Sequence, residues 1–362
     1  MSTALFKLVV CEGDETGQEL LDRALVVLDP AVVGVEIDME RFDLSLANRR
    51  RTQNAVVHEA AEAMRAAGFG LKAATITPEG ADDVGSPNRI LREGVGGSVI
   101  VRTGRRIPGV APLAPVVHPM AVVRMAVGDA YGAEEWREGT PGAADESAAR
   151  TERISRGSCR AVAEHSFRLA ASMAGCVYGG PKWTVSARYE ALLKEEMDLA
   201  ASRHPDVPYR PVLVDAAYAG LLGASGARPL VIPALNRDGD CLSDLVLALF
   251  GSIAGAESVL LAFDADLEVT VAMAEAPHGT APTLAGKNVA NPMAMLLACA
   301  AVLDHAASES EPTLADAGRA IREATLSVAA AGTRTFDLGG NASTSEVVDA
   351  VVAAVRAARA PS

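Results

Sequence analysis

Basic charge is what this sequence has least of. The net charge is −13 and the pI near 5.0. Binding to nucleic acid needs clustered Lys and Arg to neutralise phosphate, so the balance argues against a nucleic-acid partner. It leaves room for a small anion, because a local arginine cluster can sit on an acidic chain. Lysine is especially scarce, with five residues against 28 arginines. With so much alanine, that reflects a GC-rich genome and says nothing of mechanism. The five cysteines, at 11, 159, 176, 241 and 299, are odd in number and lack paired metal spacing, which fits reduced thiols in a cytoplasmic protein. No basic segment followed by a long apolar run opens the chain, so no signal peptide is expected. The longest apolar run, 293–303, is too short to span a bilayer and predicts a buried helix. No repeat is visible, and no G-x-G-x-x-G fingerprint opens the chain.

What is present is an ordinary globular balance, 49% hydrophobic and 22% charged, over a length sufficient for two packed regions. Residues 6–10 predict a buried strand, 12–17 a turn, and an amphipathic helix follows to residue 28. A second helix is expected over 56–67 and a strand over 71–76. Residues 126–150 are poor in hydrophobics and rich in Gly, Ala and Glu, as in a loop or projecting arm. Helix is expected over 152–174 and 343–358. Strands over 211–214, 229–232 and 258–263 alternate with helical stretches, and 308–311 suggests a polar turn. The pattern is α/β.

Three constellations carry chemistry. Residues 275–292 form a long loop of Gly, Pro, Ala and Thr around His278, whose backbone N–H groups suit an anion or heterocycle. Asp240 and Asp244 stand four apart at a helix start, on one face, able to hold one cation through oxygen. The alternative is N-capping and a solvated acidic face, which the apolar run 245–250 weakens. Arg92, Arg102 and Arg124, with Ser86 and Asn88, suit a polyanion, since arginine binds carboxylate or phosphate through two parallel hydrogen bonds. A basic helical face is the alternative for Arg92.

The loop at 275–292 closely resembles the adenosine-binding loop of the β-decarboxylating dehydrogenases, which include isocitrate, isopropylmalate, homoisocitrate and tartrate dehydrogenases. The similarity runs from Glu12 to the segment 337–346, and 71–97 resembles the eukaryote-type branch of isocitrate dehydrogenase. It implies an isocitrate/isopropylmalate dehydrogenase-like α/β fold. Residues 1–95 and 251–362 would form a large cofactor-binding domain. Residues 96–250 would form a smaller α/β domain with the dimer interface and a shortened arm at about 129–151.

The resemblance also implies roles. Mg²⁺ or Mn²⁺ is held by Asp240 and Asp244 with Asp215 from the partner subunit. Thr77, Ser86, Asn88, Arg92, Arg102 and Arg124 meet the substrate. Ser86 and Asn88 replace the apolar residues of isopropylmalate enzymes, so an acidic or polar distal group is expected. Tyr131 protonates carbon after CO₂ leaves, with the neighbouring cation lowering its pKa. Lys72, Thr75 and Thr77 lie near the nicotinamide and ribose. Glu275, His278, Gly279, Thr280, Ala281, Thr283, Leu284 and Asn291 hold the rest of the cofactor. Thr283 and Leu284 offer no cation for a 2′-phosphate, and Asp82 and Asp83 stand near where relatives place a phosphate-binding arginine. NAD is therefore expected over NADP.

Departures accompany the resemblance. The family's relay lysine falls on Arg188, or on Ala187 in another alignment, with Lys182 in reach only if the strand is placed differently. Arginine stabilises charge but is a poor relay. Arg89 stands where relatives have glycine. With Arg105 and Arg106 it suits a phosphonate analogue of isocitrate, or it is a solvated surface residue. The expectation is a metal-dependent, NAD-linked oxidative decarboxylation of an isocitrate-like 2-hydroxy acid in a homodimer. A non-catalytic regulatory subunit is the rival.

Overall fold

The computed structural model describes residues 6–79, 83–224, 226–307 and 312–359. The expected turn at 308–311, and Asp82, lie outside the described residues. Among the described residues there are twelve strands: β1 (Phe6–Glu12), β2 (Ile37–Asp43), β3 (Phe69–Lys72), β4 (Gly97–Gly104), β5 (Met120–Met125), β6 (Glu134–Glu138), β7 (Ser147–Thr151), β8 (Cys176–Tyr178), β9 (Tyr209–Arg210), β10 (Leu230–Ala234), β11 (Glu257–Phe263) and β12 (Val269–Glu275). Ten of them form one sheet in the order β2-β1-β3-β12-β11-β4-β5-β10-β8-β9. The two ends of the sheet are parallel, β2-β1-β3-β12 and β5-β10-β8-β9. Antiparallel pairing of β11 with β12 and β4, and of β4 with β5, joins them. Parallel strands covered on both faces require continuous apolar runs, and β1, β5 and β10 have them.

Strand alternation sorts the side chains into two faces. On one face Val99, Val123, Val231, Leu261 and Ala272 join a single core that extends to helices Arg156–Ser172, Met293–Ala306 and Pro312–Ala330. On the other face the core is split. One cluster joins Ile100, Leu260 and Met273 to helices Ala55–Ala67 and Pro87–Gly94. The second joins Met120, Val122 and Ile232 to helices Val214–Ala224 and Asn236–Leu249. Arg102 and Arg124 share this face with Ile100 and Val122, where the apolar packing is interrupted.

The structure revises several boundaries. The expected strand at 211–214 is the short β9, and Val214 already opens a helix; Pro211 has no N–H to extend the ladder. The strand expected over 71–76 stops at Lys72, because the Ile76 N–H and carbonyl are taken by Asp14 and Arg49. The first helix covers Glu15–Ala24, tightening to a 3₁₀ turn through Leu28. The arm is an exposed two-stranded hairpin of β6 and β7. The run at 293–303 is a buried helix, as expected, and no described helix is long and apolar enough to cross a membrane.

Candidate active site

The interrupted face holds a polar basin of about 380 Å³, lined by Ser86, Asn88, Arg89, Arg92, Arg102, Arg124, Tyr131 and Asp240. Four elements converge to make it. Helix Pro87–Gly94 starts with proline, whose missing N–H is harmless in a first turn, and it carries Asn88 and Arg92. β4 and β5 supply Arg102 and Arg124. Helix Asn236–Leu249 supplies the acids. Gly239 lets that helix sit against β5, since a Cβ there would lie 2.8 Å from the Cβ of Arg124.

The charges interlock. Arg124 donates to Asp240 through Nη1 and to Asn236 Oδ1 through Nε at 2.9 Å. Arg102 Nη1 reaches Asp244 at 3.1 Å, Asp240 at 3.4 Å and the Ser243 hydroxyl at 3.0 Å. The Tyr131 hydroxyl donates to Asp240 Oδ2 at 3.0 Å, and its ring lies 5.5 Å from the Arg124 guanidinium. Burial pulls Arg124 down to about 10, against the carboxylate of Asp240. Tyr131 corrects an expectation: its pKa is raised, because burial and the negative charge of Asp240 outweigh Arg124. Thr77 is tied in through a 3.5 Å contact from its hydroxyl to Ser86. Asn88 Oδ1, Arg102 Nε and Thr75 Oγ1 are buried without a hydrogen-bond partner, which is unfavourable unless a ligand supplies one.

A second cavity, of about 1020 Å³, lies along the loop expected to take the cofactor. Its walls include His278, Gly279, Ala281, Leu284 and Asn291, with Phe336 and Asp337 opposite. The first helix holds this loop. Thr16 donates to Thr280 and Ala281 carbonyls at 3.1 and 2.7 Å, and Glu19 accepts from Gly286 and Asn288 N–H at 2.7 and 3.1 Å. The turn before that helix passes under residue 74, where a Cβ on Gly13 would lie 2.1 Å from the Ala74 carbonyl oxygen. Thr283 is exposed in the turn Pro282–Leu284. Asn291 is partly committed within the protein, capping Met293 and donating to Asp337 at 2.9 Å.

Between the cavities, Lys72 on β3 faces Glu275 on β12 at 3.4 Å, both largely buried. Burial alone would raise the Glu275 carboxyl; the charges of Lys72, Arg92 and Arg102 overcome it and hold it below the usual carboxylate range.

A family model for isocitrate/isopropylmalate dehydrogenase matches residues 7–351. The chain belongs to this family. It is 32% identical over 302 residues to an NADP isocitrate dehydrogenase of Thermus thermophilus, covering 82% of this chain and 57% of that one. It is 29% identical over 360 residues to a catalytic subunit of an NAD isocitrate dehydrogenase of Arabidopsis thaliana, covering 97% and 88%. The isocitrate dehydrogenase structure from Methylococcus capsulatus superposes with a TM-score of 0.84 at 24% identity, covering 97% of this chain and all of that one. Membership makes the protein an oxidoreductase of the decarboxylating type, a family whose members use NAD or NADP with a divalent metal.

The acids of this dehydrogenase suit a hard cation: Asp240 and Asp244 lie one helical turn apart and already share one cationic side chain, Arg102. Among the described residues no three such groups converge within one chain. Asp215 does not join them. It is 64% exposed at the start of helix Val214–Ala224, where Lys182 Nζ holds it at 2.5 Å and that hydrogen bond depresses its pKa. Arg188 is exposed in the loop after β8. β8 ends at Tyr178, so Lys182 comes sooner after the strand than Arg188, beyond the turn at Gly179 and Gly180.

Arg49 was missed altogether. It is fully buried, and its guanidinium donates to the carbonyls of Leu44 at 3.0 Å, Gly85 at 3.2 Å and Ile76. It thereby ties down both ends of the segment carrying Thr77 and Ser86. Its place beside Arg50 and Arg51 in the sequence does not mark it as the buried one of the three. The only available signal was Ser45, which caps the helix Leu46–Thr52 and so fixes which arginine turns inward.

Proposed function

We propose that this chain is a catalytically active, NAD-dependent dehydrogenase that oxidises and decarboxylates an isocitrate-like 2-hydroxy acid as a cytoplasmic homodimer. The observation that carries this reading is the basin itself, where Arg89, Arg92, Arg102 and Arg124 line one cavity with Ser86, Asn88, Tyr131 and Asp240. A regulatory subunit has no need of such a set, nor of Tyr131 placed against Asp240. In the two-domain arrangement, residues 1–95 with 251–362 and residues 96–250 meet across the basin.

Arg92, Arg102 and Arg124 neutralise and orient the substrate carboxylates. Ser86 and Asn88 read the distal group. Asp240 and Asp244, completed by Asp215 of a second copy, would hold Mg²⁺ or Mn²⁺, which polarises the hydroxyl and carbonyl oxygens of the substrate. Tyr131 is placed to give a proton to the carbon that CO₂ leaves. Lys182, carried beside Asp215, takes the relay role first assigned to Arg188, because an amine can lose its proton and a guanidinium cannot. The nucleotide cleft supports NAD because no Lys or Arg lines it.

For the distal group a carboxylate is favoured over a phosphonate. Arg89 reaches the basin, but its Nε is held by Glu93 at 2.9 Å and its side chain is 63% exposed. The test is NADH production by the purified chain alone with isocitrate and Mg²⁺, in wild type, Lys182→Met and Arg188→Met. The expected outcome is turnover in wild type, at least about a 100-fold loss in Lys182→Met and little change in Arg188→Met. No NADH from the wild type with isocitrate or its phosphonate analogue would favour the regulatory subunit.

A further inference from the structure

Phe336 is 87% exposed, the most exposed of the large apolar side chains among the described residues. A single exposed apolar residue usually needs no explanation. This one lines the cavity of about 1020 Å³ together with Leu284, Val289 and Ile253, each of them also partly open to solvent.

The backbone that presents the ring is tightly held. Phe336 opens a 3₁₀ turn, Phe336–Leu338, closed by Gly339 in the left-handed region. Leu338 and Gly340 N–H both donate to the Thr335 carbonyl, at 3.1 and 3.0 Å, and Gly339 N–H donates to that of Phe336 at 3.0 Å. Asp337 accepts from Thr335 Oγ1 at 2.5 Å and from Asn291 Nδ2 at 2.9 Å, which fastens the turn to the opposite lip of the cleft. The backbone that carries the ring is therefore fixed, and only the ring's own torsions remain to be ordered when something flat lands on it.

A second observation at the same cavity points to a ligand. His278 Nε2 is buried on the wall and has no hydrogen-bond partner. An aromatic face, aliphatic walls and one unsatisfied ring nitrogen together suit a heteroaromatic base. The charged residues on the wall are Asp244 and Asp337, both acidic, so a phosphate on the adjoining ribose hydroxyl would meet no cation.

We infer that Phe336 is the stacking face for the adenine ring of the dinucleotide and sets its affinity in the form without a 2′-phosphate. This rests on the reading of the cleft as the NAD site and goes further by assigning the base to one side chain.

The experiment is equilibrium binding of ADP-ribose, 2′-phospho-ADP-ribose, AMP and nicotinamide mononucleotide to wild type, Phe336→Ala and Phe336→Trp. The expected result is about a tenfold rise in Kd for ADP-ribose and AMP in Phe336→Ala, with nicotinamide mononucleotide unaffected. 2′-Phospho-ADP-ribose binds more weakly than ADP-ribose to the wild type. Phe336→Trp retains affinity within about threefold, and AMP quenches its added fluorescence relative to the wild type, which carries Trp136 and Trp183. Steady-state assays show the loss in the KM for NAD, with kcat unchanged. Equal ADP-ribose affinity in wild type and Phe336→Ala, or emission from Phe336→Trp that AMP leaves unaltered, overturns the assignment while the NAD site stands. A wild type that binds no adenine nucleotide removes the NAD site and the assignment together.

Discussion

The basin and the cleft are neighbours built on opposite physical plans. In the basin, arginines on β4, β5 and helix Pro87–Gly94 meet acids on helix Asn236–Leu249. It is a charged site, in which Arg102 and Arg124 are held by Asp240 and Asp244. The cleft is walled mostly by apolar residues, about half of its lining coming from the loop 275–292 and the rest from other segments, Phe336 and Asp337 among them. Among the described residues that line it, Asp244 and Asp337 carry charge and no Lys or Arg does. A charged site is sensitive to the loss of any one partner, since the remaining partner is left buried and uncompensated. An apolar site degrades by increments of area.

The strongest break in the comparison falls on the basin acids. Asp240→Asn should lower kcat/KM by at least about 100-fold while leaving the Kd for ADP-ribose unchanged. Chelation by EDTA should do the same to the wild type, with recovery in Mg²⁺ or Mn²⁺. Full turnover in chelator would remove Asp240 and Asp244 from the cation's coordination.

Next comes Arg49, which supports the basin from beneath and touches no wall of the cleft. Arg49→Met leaves the carbonyls of Leu44, Ile76 and Gly85 without their donor. A destabilisation of about 2–4 kcal/mol in denaturant unfolding is expected, along with a raised KM for substrate and an unaltered KM for NAD. If the two KM values rose in parallel, the two regions would share a support that their contacts do not show.

How much was legible beforehand follows from the same contrast. The loop 275–292 is continuous in sequence, so its composition set it apart before the structure showed that it lines a cavity. The basin arginines lie on separate elements; their residue type suggested a polyanion site, but that they share one cavity with Tyr131 and Asp240 needed the structure. The α/β character was legible in the apolar runs of β1, β10 and β11. Boundaries were not, wherever a long-range hydrogen bond cuts a strand short, as Asp14 and Arg49 do after Lys72. Arg49 drew no reading, and Lys182 stood behind Arg188, for one reason: each depends on the position at which an element begins or ends, and a single residue of shift turns a side chain elsewhere. The raised pKa of Tyr131 needed the distance to Asp240, which no spacing in the sequence reports.

A smaller effect sharpens the cleft side. Thr283→Lys places a cation beside a cleft that has none on its walls, and should shift the ratio of kcat/KM for NADP over NAD by about tenfold toward NADP. No shift would mean that the 2′-hydroxyl points away from the turn Pro282–Leu284. The smallest effect is expected at Arg89, already paired with Glu93 and exposed to water. Arg89→Ala should change kcat/KM for isocitrate by less than about twofold, as exposed pairs of this kind contribute little. A phosphonate analogue that loses about tenfold or more in the same variant would instead restore Arg89 as the reader of the distal group.

The single ten-stranded sheet also constrains how the protein is made. β3 finds one of its neighbours in β12, so Lys72 waits for Glu275 before that edge is sealed. A nascent chain that has emerged only as far as β10 therefore presents β3 and β4 with open backbone edges, and Ile100 and Leu71 with uncovered faces. Contacts so distant in sequence make folding slow, and unpaired strand edges on a partly synthesised chain invite association with other chains. β11 and β12 supply the missing neighbours, so the sheet closes only once residues 257–275 have been made, long after the strands on either side of them.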